Sequence, residues 1–217
     1  MTLIGYMMTH DSGFAPNPYW GILTLATCKP VIRRTKIIGD WVAGFASKAL
    51  VNKSKNEGVT VPYQGLIYLM KIGEVMTLDA YFNDPRFKIK KPCKNHPDPI
   101  KRSGDNIYYW VDGRPRQLPN NSHNLKSIER DTRGVNVLIA NMKESYYFGR
   151  ECPIPDGGWE SIGFVFSKGR TFNCSSYLEN IRNFLRKNGY NPDVHGNPCL
   201  RVDQEDASTH VDSCSKQ

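Results

Sequence analysis

GLIYLMKIGEVM, residues Gly65 to Met76, is the longest apolar run of the chain, interrupted only by Lys71 and Glu74. Its length and β-rich make-up mark a central strand, and Gly73 is where such a strand would bend. Working outward, Thr77 is placed to cap a short helix, LDAYFND, which Pro85 closes. On the other side, Gly39-Asp40 is a turn leading into a second strand, Trp41 to Ser47. Further strands are expected at Leu3–Met8, Trp20–Thr27, Asn106–Val111, Val135–Ala140, Tyr146–Gly149 and Ile162–Phe166. Residues 48–61 read as a polar loop. The stretch 86–102 reads as a basic, proline-rich segment with Asp98 as its only acid. One longer helix is expected late in the chain. Ser176 and Glu179 have capping-box spacing, Leu178, Ile181 and Leu185 repeat helically, and Gly189 supplies a stop.

Many short strands with few helices predict an α+β domain built on a small, mostly antiparallel barrel with peripheral helices. A single domain over residues 1–198 is expected, with polar insertions near 48–61 and 86–105 and a flexible tail over 199–217. The 217 residues carry 29 Lys+Arg against 21 Asp+Glu, a net charge of +8. That excess points to a polyanionic partner: nucleic acid, DNA by preference, or a modified nucleotide. The six cysteines, at 28, 93, 152, 174, 199 and 214, form no CxxC and no zinc-ligand spacing. They predict reduced thiols in a cytoplasmic protein and no metal. The first residues lack the pattern of a signal peptide, and no stretch has the length of a membrane span. No Walker-type or GxGxxG loop is present, so no cofactor is expected.

Chemistry concentrates in two adjoining segments. The loop around GFAPNP holds Asp11 just ahead of it and Asn17 between Pro16 and Pro18, which suits hydrogen bonding to a ligand or, more plainly, plugging one end of a barrel. TCKPVIRRTK places Lys29, Arg33, Arg34 and Lys36 within eight residues, a phosphate grip or a solvated connection between strands. Trp20, Trp41 and Tyr68 are candidate stacking surfaces for a base, although most such rings fill cores. Lys88, Lys90 and Lys91 extend a basic track, with Arg86 at its head. For catalysis, Glu74 in its apolar run and Asp40 at a strand start are the informative carboxylates. The bland alternative pairs Glu74 with Lys71 or Lys29, and reads Asp84–Arg86 as a simple bridge at a helix stop. The spacing demands no Cys–His pair; His10 and Cys28 are the nearest candidates.

The segments HDSGFAPNPYWGILTLATCKPVIRR, IGDWVAGFAS, GLIYLMKIGEVMTLDAYFNDPRF and DNIYYWVDG resemble the second family of nucleotide-modification-associated domains. The resemblance runs over residues 4 to 150 and more weakly to about 190. It implies a role beside DNA base-modification systems of bacteria and phages. The order of elements is also similar to the PUA-like superfamily with its EVE, YTH and ASCH domains. That likeness implies a barrel that receives a flipped, modified base beside a basic track, contacted by Asp11, Asn17, Trp20, Lys29, Arg33, Arg34, Asp40, Trp41, Tyr68 and Arg86. ASCH-like hydrolases imply an alternative, in which Lys29, Thr35 and Glu74 deacylate a modified nucleoside. A subunit that only meets partner proteins of a modification or phage-defence system is the third reading.

Overall fold

The structure, a computed structural model, describes residues 1–201, and they cluster into two compact units. The remainder of the tail expected to be flexible lies outside the described residues. Cys199 and Leu200, its first two positions, are buried.

The first unit comprises residues 1–10, 39–72 and 141–200. Its sheet sets β1 (Leu3–Met8) parallel to β3 (Trp41–Ala46), in register from Leu3↔Trp41 to Met8↔Ala46. The first part of β4 (Leu66–Thr77) runs antiparallel to β3, with a bulge between Gly44 and Phe45. β8 (Tyr146–Tyr147) extends β4, and β9 (Thr171–Asn173) lies antiparallel on the far side of β1. β3 is buried along its whole length, as expected of a strand with neighbours on both sides. Phe45 packs edge-on to Trp159 at 5.3 Å and beside Phe164 and Phe172.

The segment read as a polar loop is instead α2 (Lys48–Asn56). Ser47 caps it by accepting from the Leu50 N–H at 3.2 Å, and Leu50 buries against the unit. The lysines that looked loop-like are its solvated face. The strand expected at Ile162–Phe166 does not form. A 3-10 turn (Trp159–Ile162) precedes Gly163 at φ 77, and Phe164 and Phe166 turn into the aromatic cluster. α6 (Leu178–Lys187) and its Gly189 stop form as expected. The capping box does not, because Glu179 is engaged by Arg182 and Arg186.

The second unit comprises residues 11–38, 73–140 and 201 among those described. The strand expected over Trp20–Thr27 contracts to β2 (Thr24–Leu25), paired antiparallel with β7 (Asn136–Ala140). Trp20 adopts φ 61, which an extended strand excludes. The Lys-Pro-Val-Ile-Arg-Arg connection is a helix, α1 (Pro30–Thr35), with proline at its first position. Thr77 caps α3 (Leu78–Asn83) through the Ala80 N–H at 3.1 Å. In the basic segment, Asp84 and Asp98 cap a 3-10 turn (Pro85–Lys90) and α4 (Pro99–Arg102). β5 (Tyr108–Val111) and β6 (Arg114–Gln117) form a hairpin closed by Asp112-Gly113, both at positive φ. α5 (Ser127–Thr132) precedes β7. The core gathers Phe14, Leu78, Tyr81, Phe87, Ile107, Tyr108 and Val137. No closed barrel is found among the described residues; the sheets are mixed, mostly antiparallel and open. Nor is any described helix long and apolar enough to cross a membrane.

Candidate active site

The second unit brings together a thiol, an imidazole and a carboxylate that the sequence leaves far apart. Leaving β2, the chain turns sharply at Cys28 (φ 55) and Lys29 (φ 40) before Pro30 opens α1. Positive φ at two consecutive residues other than glycine costs about 1–2 kcal/mol each. Such a strand-to-helix turn presents a nucleophile's side chain at its apex. Cys28 is half-buried, and its Sγ lies 3.4 Å from His123 Nε2.

His123 is held from several directions. Asn120 Oδ1 accepts its backbone N–H at 2.7 Å, and Gln117 Nε2 donates to its carbonyl at 3.0 Å. The Phe14 ring meets the imidazole edge-on at 5.0 Å. On the far side of the ring, Nδ1 is 2.7 Å from Asp131 Oδ2. Asp131, fully buried on α5, also accepts from Tyr108 Oη at 2.8 Å and pairs with Arg130 Nε at 3.1 Å. Burial alone would raise its pKa. Adjacent His123, Arg130 and Arg33 outweigh that and hold the carboxyl well below the usual carboxylate range. At that distance an ionised Asp131 favours a positive charge on the imidazole electrostatically.

Arg33 binds this assembly from behind. Fully buried, it donates through Nε to the Cys28 carbonyl at 2.7 Å, through Nη1 to the Asn136 carbonyl at 2.7 Å, and through Nη2 to the Asp131 carbonyl. Burial lowers its pKa, and neighbouring Asp131 works against that. Its guanidinium therefore clamps the Cys28–Lys29 turn to α5 and β7 rather than projecting toward solvent.

A second buried network orders the Pro-Asn-Pro loop. Lys90 Nζ donates to Asn17 Oδ1 at 2.6 Å and sits 5.5 Å over the Trp20 ring. Asn17 Nδ2 donates to the Ser103 carbonyl at 2.8 Å. Asp105 accepts from Thr24 Oγ1 at 2.6 Å and Tyr81 Oη at 2.8 Å. Burial pulls Lys90 down to about 8, against the pull of Asp105, and pushes Asp105 upward. Burial thus outweighs the attraction between them at both groups.

Other expected site residues are placed as follows. Asp11 is buried, whereas Arg34 and Lys88 are exposed. Lys29 is the N-cap of α1 and Lys36 its C-cap. Thr35 donates its hydroxyl back to the Val31 carbonyl at 2.7 Å. Glu74 faces neither Lys71 nor Lys29. It makes a bidentate pair with Arg86 at 2.8 and 3.0 Å, and Arg86 also binds Asp84. Lys71 pairs with Glu144 instead, within the first unit. Asp40, Trp41 and Tyr68 also belong to the first unit. There Asp40 accepts the Thr2 N–H, Trp41 is buried with Nε1 3.3 Å from Met1 Sδ, and Tyr68 Oη is 3.0 Å from Tyr6 Oη.

Sequence reasoning missed His123 and Asp131 because nothing in their spacing points at Cys28. The one legible signal was local: a cysteine between an apolar, β-rich stretch and the Lys-Pro step that follows it.

No curated protein and no solved structure matches the chain. The sequence model of nucleotide modification associated domain 2 matches residues 1–204, and with nearly the whole chain covered the protein belongs to that family.

Proposed function

We propose that the second unit is a thiol-dependent acyl hydrolase or transferase acting on a nucleotide or a modified base, in keeping with the family's association with base modification. The observation that carries this reading is the line Cys28 Sγ–His123 Nε2 at 3.4 Å and His123 Nδ1–Asp131 Oδ2 at 2.7 Å. Nucleophile, base and orienting carboxylate stand in the order that covalent acyl chemistry needs. A reading as a binding module alone, favoured by charge and aromatics, gives that line no task. The deacylase alternative gains support, with Cys28 taking the role sought in Lys29, Thr35 and Glu74.

In the proposed reaction the Cys28 thiolate attacks the carbonyl carbon of an ester or amide. A C–S bond forms and the carbonyl electron pair moves to oxygen. Collapse of that intermediate breaks the bond to the leaving alcohol or amine, which takes its proton from His123 Nε2. Water, or an acceptor amine, then attacks the thioester carbonyl and gives its proton to His123. The thiolate leaves, restoring the starting pair.

Alkylation by iodoacetamide, followed residue by residue by mass spectrometry, tests the proposal. Exposed Cys93 is the internal reference. At pH 6.5 an ordinary thiol is only about 1 % thiolate. Cys28, though less exposed, should label at least about tenfold faster than Cys93, and His123→Ala should remove that advantage. Equal rates for the two cysteines at pH 6.5 would overturn the assignment.

A further inference from the structure

The charge of the chain is not evenly spread. Residues 11–38 and 73–140 hold 16 Lys+Arg against 9 Asp+Glu, an excess of seven, in the unit that contains Cys28. Part of that excess lines one face of the β5–β6 hairpin. The register pairs Tyr109 with Arg116 and Val111 with Arg114, so the pleat puts these four on one side. The other side carries Tyr108 and Trp110 into the core. Arg114 and Arg116 are exposed, about 7 Å apart along the strand. Tyr109, half-exposed, stacks on Phe82 at 4.9 Å and 25°, and Lys91 Nζ stands 3.5 Å above the Phe82 ring. Burial, followed by repulsion from nearby Lys88, lowers the pKa of Lys91. None of Lys88, Lys91, Arg114 and Arg116 has a carboxylate partner among the described residues.

We infer that this face binds single-stranded nucleic acid. Its phosphates would lie against Arg114, Arg116, Lys88 and Lys91, with a base against the Tyr109–Phe82 stack. Four cations without counterions across an aromatic pair cost self-repulsion that a polyanion relieves. The ring surface selects for unpaired bases, because a duplex keeps its base faces occupied by stacking. As an account of what the Cys28 centre acts on, namely a base within a strand rather than a free nucleotide, this inference rests on the reading above. As a binding surface it stands without that reading.

Fluorescence anisotropy with a labelled single-stranded 20-mer, the matching duplex and heparin is the test, run on full-length protein and on Cys28→Ser. The single strand should bind at low salt, with log K falling against log salt at a slope of about −3 for four contacts. Arg114→Gln combined with Arg116→Gln should make that slope shallower by about 1.4. Tyr109→Ala should weaken the single strand about tenfold and leave heparin unchanged. Cys28→Ser should bind like the native chain, so loss of the thiol chemistry and loss of this surface are told apart. Duplex or heparin binding as tight as the single strand, or a double arginine variant with an unchanged slope, would overturn the inference; the two exposed arginines can be replaced without disturbing the core.

Discussion

The guanidinium of Arg33 occupies the space that a side chain at Gly134 would need: a Cβ built there would come within 2.6 Å of Nη1, with Nη2 and Cζ closer still. The glycine is what allows Arg33 to reach the Cys28, Asp131 and Asn136 carbonyls from one position. Gly134→Ala should therefore push the guanidinium off these carbonyls. Overpacking of this kind costs about 1–3 kcal/mol, and the loss should appear in urea denaturation together with slower alkylation of Cys28. Arg33→Lys, which keeps the charge but loses the three-way fork, should show the same two effects.

Tyr108→Phe removes one donor from Asp131 and nothing else of its packing. The expected cost is about 1 kcal/mol in denaturation midpoint energy. The acid side of the pH profile for Cys28 alkylation should move downward as well, because a carboxylate relieved of the phenol donor directs more of its charge to the imidazole. An unchanged profile would show that the tyrosine acts on packing alone.

Asp131 makes stability depend on acid in a set direction. Its folded pKa lies below its unfolded value, so its contribution is complete above the ordinary carboxylate range. The contribution is lost only as pH falls below about 4, toward the depressed folded value. Asp131→Asn should flatten the difference in stability between pH 5 and pH 3 relative to the native chain.

Lys90 works in the opposite range. Its folded pKa of about 8 lies below the usual lysine value of 10.5, so the unfolded chain binds the extra proton between these limits. Stability should rise with pH across that window, by on the order of 3 kcal/mol. Lys90→Met should lack this rise, a difference measurable by urea titrations at pH 8 and pH 10.

Glu74→Gln separates the thiol centre from the carboxylate expected at the sequence level. The Glu74–Arg86 pair is exposed, and its loss should cost less than about 1 kcal/mol. Cys28 alkylation should proceed at the native rate. A marked slowing would return Glu74 to the catalytic site.

The central strand at Gly65–Met76, the Thr77 cap and the strand after Gly39-Asp40 were legible because each is written in a contiguous pattern of apolar residues and turn residues. α1 and α2 were not. Both are short, and their lysines and arginines read as loop where they are solvated helix faces closed by Pro30 and Ser47. The strand expected at Ile162–Phe166 failed because its phenylalanines meet other rings rather than a neighbouring strand. At the site, the sequence drew attention to the Cys-Lys-Pro segment, and the structure sets Cys28 of that segment beside His123, which the sequence did not single out. Arg33 looked like a phosphate ligand because three carbonyl acceptors from distant segments cannot be seen in a linear chain. Cys28, His123 and Asp131 meet only through tertiary packing, and no spacing rule joins residue 28 to residue 123.

Strand β5 serves two tasks with consecutive residues, Tyr108 toward Asp131 and Tyr109 toward Phe82. Because side chains alternate, a slip of one position exchanges their sides. The two-residue Asp112-Gly113 turn is thus a timing element for the whole unit. Inserting one residue there would slip β6 against β5 and carry Arg114 and Arg116 off the side they share with Tyr109, without altering a single side chain.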